Sequence, residues 1–335
     1  PSVALHADVL PDDKILLTSK SPGFAWIVVL LGDGTFDNSF NRNGYVNVRH
    51  PDHPPEAIQL SGTMIQEDGK YLACGAFWIN GQDRHQALFV RYLKNGNIDA
   101  TFGKAGFVII KAEPEIEGVR IHHMAAQHNQ RILGIGISLG RPVSALLTSL
   151  ESDGRANSEF NNGLPLHTRL DNTEITAWNG VAQQPDGKVV VAGEVVESGH
   201  MASIVVARFL SNGTFDESFN QGRGYVLTAL DEHWAAGTAM TLQRDGKIVV
   251  AAFAKVGDAL VPVILRYWHS SSDAPSSANA QASYLDPSFG KDGQVYLDFN
   301  GTTEGAISAG ALQPDQKIVV ACSVGSGFGL ARFNP

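Results

Sequence analysis

Acidic side chains recur at a fixed distance from a series of basic residues, and carboxylates gathered in this way can do chemistry. Fourteen residues before five of those basic residues stand Glu56, Glu117, Glu174, His233 and Thr303, with Glu304 next to Thr303. If the fold brings these positions together, they form an acidic ring that can bind a cation or a basic or polyhydroxylated ligand. Crowding can also raise the pKa of one carboxyl far enough for acid–base catalysis. The simpler alternative is a set of solvated loop charges.

Aromatic and basic side chains lie in the same variable segments. Trp78 precedes a polar run that ends at Arg84, and Trp234 follows His233. An indole ring beside polar groups suits stacking on a sugar or anchoring a protein partner, although Trp78 can equally pack beneath its own loop. The candidate ligand-binding residues are Glu56, Trp78, Arg84, Glu117, Glu174, His200, His233, Trp234 and Glu304.

Signatures of catalysis are missing from the sequence, which has no nucleophile elbow, phosphate loop or dinucleotide fingerprint. The glycine-rich run 325–329 joins two predicted strands and opens no helix, so it lacks the context of a phosphate loop. His122 and His123 are adjacent on a predicted strand and point to opposite faces, which argues against a shared metal ion. We therefore predict no catalytic residue, no metal ion and no cofactor.

An internal repeat spaces these segments. One motif, called here the lysine turn, is an apolar strand end, a short polar turn that closes on Lys or Arg, and a β-rich run. Its basic residues lie 56 to 70 residues apart and number the repeats one to six: Lys14, Lys70, Arg131, Lys188, Lys247 and Lys317. A second motif, the aspartate turn, has the pattern Gly-x-x-Asp-x-x-Phe. Its five copies, one of them lacking the glycine and one the aspartate, centre on Asp37, Asp99, Asn157, Asp216 and Asp286.

Each repeat holds about four strand-like runs. In repeat four these are residues 181–184, 188–193, 203–210 and 224–227, with an Asp-Gly hairpin turn between the first two. No segment shows sustained helical periodicity. The pattern predicts an all-β fold, a single six-bladed β-propeller over residues 1–335 with four-stranded antiparallel blades. Its last blade is expected to lack the outer strand, and residues 269–283 are expected to form a solvated loop.

The two motifs resemble a known repeat. Gln184-Pro185-Asp186-Gly187-Lys188 with its valine-rich continuation, together with the run 207–219, resembles the delta-60 repeat, found mainly in bacterial proteins that are often large and secreted or on the surface. The resemblance covers nearly the whole chain, weakens in repeat three and is interrupted by an insertion in repeat five. It implies propeller blades and a secreted, cell-surface or periplasmic location. The family has no catalytic motif to carry over.

Antiparallel strand order assigns both turns to one end of the blades and the variable loops to the other. The aspartates are interpreted as turn residues whose carboxylates accept nearby backbone N–H groups: Asp37, Asp99, Asp216 and Asp286. Loops on a rigid scaffold are where function usually lies, so a site is expected at the variable-loop end. Cys74 and Cys322 fall in the second strands of repeats two and six, too far apart for a disulfide, and both are predicted to be free.

The net charge of −9, from 25 basic and 34 acidic residues, argues against nucleic acid and against an anionic membrane surface as partners. No apolar run is long enough to insert into a membrane. The leading hypothesis is a monomeric, non-enzymatic module that binds a glycan or a protein at the variable-loop end. One alternative is a hydrolase or lyase with carboxylates at the pore mouth. The other is a structural spacer in a larger surface protein.

Overall fold

The computed structural model describes residues 3–10, 12–21, 24–52, 58–78, 84–199, 202–230, 234–269, 284–298, 305–324 and 327–334. These stretches form strands and turns, with one 3-10 helix at Asn161–Gly163. No helix within them is long and apolar enough to cross a membrane. The chain divides into two compact units, residues 1–168 and 169–335. Residues 270–283, most of the predicted solvated loop, lie outside the described stretches.

Repeats one to three make up the first unit. Its strands are β1 (Val3–Val9), β2 (Ile15–Ser21), β3 (Phe24–Leu30), β4 (Tyr45–Asn47), β5 (Ile58–Ile65), β6 (Tyr71–Trp78), β7 (His85–Tyr92), β8 (Phe107–Ile110), β9 (Gly118–Ala126), β10 (Ile132–Leu139), β11 (Ser144–Leu150) and β12 (Leu166–Thr168). Within each repeat the strands pair antiparallel in chain order, so each repeat is a four-stranded meander.

The meanders of repeats two and three are joined into one eight-stranded mixed sheet. They meet at a single parallel pair between β7 and β9, where His85 lies opposite Gly118. A Cβ at Gly118 would stand 2.9 Å from the His85 backbone nitrogen, so a side chain there would push the two strands apart. The separate four-stranded blades expected from the sequence are thus fused at this point, because a glycine allows the close approach.

Repeats four to six make up the second unit. Its strands are β13 (Thr173–Gln183), β14 (Val189–Glu197), β15 (Ala202–Phe209), β16 (Tyr225–Thr228), β17 (Ala235–Leu242), β18 (Ile248–Val256), β19 (Ala259–Tyr267), β20 (Gln294–Tyr296), β21 (Gly305–Leu312), β22 (Ile318–Val324) and β23 (Gly327–Phe333). They form two four-stranded antiparallel sheets and, within the described residues, one three-stranded sheet. The prediction of four-stranded antiparallel meanders is confirmed for repeats four and five.

The lysine turns are hairpins that require a left-handed residue just before the basic one. Gly187 takes φ 87° in repeat four, whereas Asp13 and Gln130 take φ 61° and 65° at the same position of repeats one and three. The preceding Asp186 fixes the turn by accepting the backbone N–H of Lys188 at 3.2 Å. Three turns therefore hold a side chain in backbone space that favours glycine: those of Asp13, Gln130 and Gln316.

The core lies between successive sheets, because each sheet is apolar on both faces. In the first unit, one buried cluster joins Leu16 and Ile27 of repeat one to Leu60 and Leu88 of repeat two. In the second unit, the corresponding cluster joins repeats four and five, and another joins Ile264 of repeat five to residues of repeat six. Trp178, at 0% exposure, belongs to the buried interior.

Three aspartate turns close on a buried cluster of a carboxylate, an arginine and a lysine, whereas in repeat one Val29 stands at the arginine position and Asp37 pairs with Lys14 alone. One oxygen of Asp216 accepts the backbone N–H of Ser218 at 3.0 Å, as predicted, and the other lies 2.7 Å from Arg208 Nε and 3.3 Å from Lys188 Nζ. Burial alone would raise the pKa of Asp216, but the Ser218 hydrogen bonds and the charge of Arg208 lower it to about 2. The same cluster recurs twice: Lys70, Arg91 and Asp99, and Lys247, Arg266 and Asp286.

Two of these arginines also tie one repeat to the next. The Arg91 guanidinium lies 4.5 Å from the Phe102 ring centroid and donates to the carbonyl oxygen of Ser152 in repeat three. Arg208 lies over Phe219 at 4.7 Å and donates to the carbonyl oxygen of His269 in repeat five. Each link runs from a repeat to the one that follows it.

Repeat three replaces the ions with a neutral network. Ser149 stands at the arginine position and Asn157 at the aspartate position. Asn157 Nδ2 donates to Ser149 Oγ at 3.0 Å, and Ser149 Oγ donates to Gln127 Oε1 at 3.2 Å. The aspartate and the arginine are lost together, and an arginine left alone at this position would be buried without its carboxylate.

Both cysteines are free and buried, as predicted: Cys74 and Cys322. Burial raises the pKa of the Cys74 thiol to about 12 and that of the Cys322 thiol in the same direction. The thiols are therefore protonated and inert near neutral pH.

Candidate functional site

Only part of the predicted loop-end site falls within the described residues. Four candidates lie outside them: Glu56, His200, His233 and Glu304. Of the remainder, the first unit holds Trp78, Arg84 and Glu117, and the second holds Glu174 and Trp234. The acidic ring is represented in the described residues by Glu117 and Glu174 alone, one in each unit, so it stays a prediction.

The two candidates of the second unit lie at strand starts. Glu174 is exposed as the second residue of β13. The Trp234 ring is half-buried, with its centroid 5.5 Å from that of Phe253 on β18. The Trp234 backbone pairs with Ala202 in a parallel bridge and accepts the N–H of Lys255 at 2.8 Å. These contacts give Trp234 a packing role against its own sheet.

In the first unit, Trp78 and Arg84 belong to a polar group that we call the Trp78 cluster: Trp78, Arg84, His85 and Arg120. Trp78 ends β6 and His85 begins β7, directly opposite in register, with ring centroids 4.1 Å apart. The close approach of β7 to β9 at Gly118 brings Arg120 to the same place. Its guanidinium carbon lies 5.7 Å from the Trp78 ring centroid, and its Nη2 lies 3.0 Å from His85 Nε2.

The hydrogen bond between Arg120 and His85 fixes the state of the imidazole. A guanidinium only donates, so His85 Nε2 must accept and Nδ1 carries the proton of a neutral ring. Burial and the charge of Arg120 both lower the pKa of His85, which keeps the ring neutral. Among the described residues, Arg120 Nε and His85 Nδ1 have no hydrogen-bond partner. The cluster thus offers two unmatched donors.

Arg120 also lacks a counter-ion. No carboxylate of the described residues lies within 4.0 Å of its guanidinium, and burial lowers the pKa of Arg120. Arg84, which precedes His85 in the chain, is exposed and donates from Nη2 to the carbonyl oxygen of Pro114 at 2.7 Å. Glu117 is exposed at the start of the neighbouring strand. The Arg120 cation beside the Trp78 ring favours an anionic group as ligand.

A second polar group, the histidine cluster, lies on the first strands of repeats one to three: His6, Asp8, Thr63 and His123. Thr63 Oγ1 donates to Asp8 Oδ2 at 2.6 Å and lies 3.0 Å from His6 Nδ1. The His6 and His123 ring centroids are 5.6 Å apart. Burial raises the pKa of Asp8, whereas burial and then the charge of His6 lower the pKa of His123 to about 4. A carboxyl group with a raised pKa and an imidazole with a lowered pKa therefore lie in one half-buried group.

The sequence carried a signal for this cluster that the loop-end argument missed. Eight residues before each basic turn residue, His6 and His123 replace a small residue, since the other repeats have Gly62, Gly180, Ala239 and Ala309. A Cβ at Gly62 would lie 3.8 Å from the His123 Cα, so the small residue of repeat two leaves room for the histidines on either side. His123, which the sequence analysis considered only as a metal ligand together with His122, belongs to the histidine cluster.

No curated protein matches the chain. Residues 66–102 and 184–219 match the family model described as a domain of unknown function (DUF5122) with a β-propeller fold. Both segments run from a lysine turn to the aspartate turn of the same repeat. The match supports a β-propeller family of unknown function and is silent on the delta-60 name.

Solved structures resemble the chain at low identity. A protein from Lactobacillus plantarum has a TM-score of 0.55 and 14% identity, over 99% of this chain and 84% of that chain. A virginiamycin B lyase from Staphylococcus aureus has a TM-score of 0.44 and 9% identity, over 100% and 99%. An endo-arabinase from Bacteroides thetaiotaomicron has a TM-score of 0.43 and 10% identity, over 79% and 94%. The comparison establishes a propeller-like fold and lends no support to a non-enzymatic role.

Proposed function

We propose that the chain is a six-bladed propeller that binds an acidic glycan at the Trp78 cluster. The supporting observation is Arg120, a half-buried cation held against the Trp78 ring and the His85 imidazole without a carboxylate partner among the described residues. The six lysine turns and the meanders of the two units support six blades. A secreted, surface or periplasmic location, implied by the resemblance to delta-60 proteins, would place the chain among extracellular glycans.

The ligand class follows from the chemistry of the four side chains. An indole ring stacks on the apolar face of a sugar, and a guanidinium pairs with a carboxylate or sulphate through parallel hydrogen bonds. The Nε of Arg120 and the Nδ1 of His85 are buried donors without a partner among the described residues, so the cluster favours a ligand with acceptor oxygens over one with donors. A uronic acid or sulphated sugar has an apolar ring face, acceptor oxygens and a negative charge, and it satisfies all three requirements.

The test is a calorimetric titration of the full chain with oligosaccharides of uronic acids and of the matching neutral sugars. We expect binding of the acidic series alone. Trp78→Ala and Arg120→Gln should each weaken binding at least about tenfold, near 1.4 kcal/mol. Trp268→Ala removes an indole from another repeat and serves as the matched control.

Glu117→Gln gives the opposite expectation. Glu117 is exposed at the start of β9, three residues before Arg120, and its charge repels an acidic ligand. The neutral variant should bind the acidic glycan as tightly as the parent or more tightly. Equal affinity for neutral and acidic sugars, or tight binding that survives Arg120→Gln, would rule out the proposal. If the chain binds a protein and no sugar, the ligand is a protein and not a glycan.

A second candidate function is acid–base catalysis, which the histidine cluster favours. Burial raises the pKa of Asp8 and lowers that of His123, so the proton affinities of an acid and a base in one group are shifted in opposite directions. Cleavage of the bound glycan would then appear as new reducing ends, or as an unsaturated product if cleavage proceeds by elimination. Asp8→Asn and His123→Gln should abolish turnover while glycan binding at the Trp78 cluster persists. Binding without turnover in the parent would leave the chain a binding module.

A further inference from the structure

A polar cavity lies between the lysine turns of repeats two and three, within the first unit. Its volume is about 150 Å³, and each turn forms one wall. A cavity of that size admits a molecule of about six heavy atoms. It borders Lys70, just before β6, whereas Trp78 ends that strand of eight residues. Such a strand spans about 25 Å, so the cavity is separate from the Trp78 cluster.

Contacts between the two repeats fix the walls of this cavity. Arg91, which is 4% exposed, is the most buried side chain that lines it. Its Nη1 donates to Gln66 Oε1 of repeat two at 3.2 Å and to the carbonyl oxygen of Ser152 in repeat three. The backbone N–H of Gly103 donates to the carbonyl oxygen of Asp153 at 2.8 Å, again from repeat two to repeat three. A cavity held in this way is preorganised, which lowers the entropy lost on binding.

The Arg91 guanidinium retains an open donor. In repeats four and five, Nη2 of the equivalent arginine donates to a serine hydroxyl, at 3.1 and 3.0 Å. In repeat two, Thr101 stands at the serine position, and its hydroxyl donates to Asp99 at 2.6 Å. Among the described residues, Arg91 forms hydrogen bonds through Nε and Nη1 only. Its Nη2 can therefore still pair with an acceptor, and a carboxylate is the strongest one.

Glu67 is the open acceptor of the same cavity. Of the three carboxylates that line it, Asp68 and Asp153 each have a basic partner, at 2.9 and 2.8 Å. Glu67 is exposed, and no basic side chain of the described residues lies within 4.0 Å of its carboxylate. Its one neighbouring donor is Gln130 of repeat three, whose Nε2 lies 3.5 Å from Glu67 Oε2. A carboxylate in this state favours a cationic group.

We propose that this cavity binds a small zwitterion of the free α-amino acid class. The ligand carboxylate pairs with Arg91 Nη2, and its ammonium group pairs with Glu67. The lining contains three cations and three carboxylates, so it favours a ligand that carries both charges over one that carries a single charge: Lys70, Arg91, Arg131, Glu67, Asp68 and Asp153. The volume restricts the ligand to amino acids with small side chains.

The probes are glycine, alanine and serine, titrated into the full chain and followed by NMR. We expect saturable one-to-one binding. Propionate and ethylamine are the matched controls for alanine, since each keeps one of its two charged groups. Both should bind at least about tenfold more weakly than alanine, because each leaves one charged group of the cavity without a partner.

Glu67 and Ala126 are exposed residues of the cavity, so their replacement does not threaten folding. Glu67→Gln should weaken alanine binding at least about tenfold, because the ammonium group loses its counter-ion. Ala126→Phe should abolish binding by filling the cavity. Glu217→Gln neutralises an exposed carboxylate of repeat four and should leave alanine binding unchanged.

Thermal unfolding of each variant checks that it keeps the fold of the parent chain. The proposal is wrong if none of the three amino acids binds saturably. It is also wrong if propionate or ethylamine binds as tightly as alanine, since one charge would then suffice. Alanine binding that survives both Glu67→Gln and Ala126→Phe would place the ligand elsewhere on the chain and overturn the proposal.

Discussion

At the scale of single residues, the buried ion clusters behave as units. Asp216 shares its charge with Arg208 and Lys188, and repeat three has lost the aspartate and the arginine together. Removing one ion of a buried pair typically destabilises by about 3–5 kcal/mol, because the other is left uncompensated. Replacing both ions by a neutral hydrogen-bonded pair lowers the free energy of unfolding much less.

We therefore expect Asp216→Asn to lower the free energy of unfolding by about 3 kcal/mol or more. The double change Arg208→Ser with Asp216→Asn copies Ser149 and Asn157 of repeat three and should cost clearly less than the single one. Denaturant unfolding of the parent, the two single variants and the double variant measures the coupling. Additive effects would show that the pair does not act as a unit.

His123 gives the stability of the chain a pH dependence. Its native pKa is about 4, below the ordinary histidine value near 6.5, so the unfolded chain binds a proton between these pH values that the native chain does not. The free energy of unfolding should fall by about 2–3 kcal/mol as pH falls from about 6.5 to about 4. Asp8 has a raised pKa in the native state, so its contribution has the opposite sign: it lowers the free energy of unfolding as pH rises above its unfolded pKa.

The measurement is a set of denaturant curves across that pH range. His123→Gln should make the slope shallower, since glutamine does not titrate. The slope that remains belongs to the other histidines whose pKa is lowered by burial: His85, His122 and His167. A slope unchanged by His123→Gln would remove this histidine as its source.

At the scale of elements, the lysine turns mix glycine and non-glycine residues in one left-handed position. Asp13→Gly should stabilise the chain by about 0.5–1 kcal/mol, because the aspartate is strained at φ 61°. Gly187→Ala should destabilise it by about 1 kcal/mol, since nothing surrounds a Cβ there and only the φ of 87° opposes it. Thermal unfolding of both variants checks the sign. A loss from Asp13→Gly would show that chain entropy outweighs the strain.

The turns also show why much of the fold was predictable. Asp186-Gly187 and the valine run after Lys188 specify a hairpin locally, so strand order followed from the sequence. Contacts between different repeats did not. The sequence around Gly118 does not predict its contact with His85. The contact between His6 and His123 joins strands more than a hundred residues apart in the chain. The sequence therefore predicted two of the four residues of the Trp78 cluster, Trp78 and Arg84, and did not predict His85 or Arg120.

At the scale of the whole molecule, the repeats differ in how well they are buried. Six of the nine residues of β14 are buried and the other three half-buried, whereas β23 has only half-buried and exposed residues. Local opening follows burial, so amides of β21–β23 should exchange with solvent before those of β13–β16. Native hydrogen exchange read out by mass spectrometry orders the sheets directly. Uniform exchange of all sheets would mean that the chain opens only as one piece.

The arginine links make the chain directional. The buried Arg91 donates to a carbonyl oxygen of repeat three, and the buried Arg208 donates to one of repeat five. Within each unit, an upstream repeat is therefore the one left incomplete when its downstream neighbour is absent. The ribosome synthesises the upstream repeat first. The arginine of that repeat can therefore pair with its own aspartate and phenylalanine before the carbonyl partner in the next repeat has been synthesised. The arginine contacts of the repeats are therefore completed from the N-terminus to the C-terminus, in the order in which the repeats are synthesised.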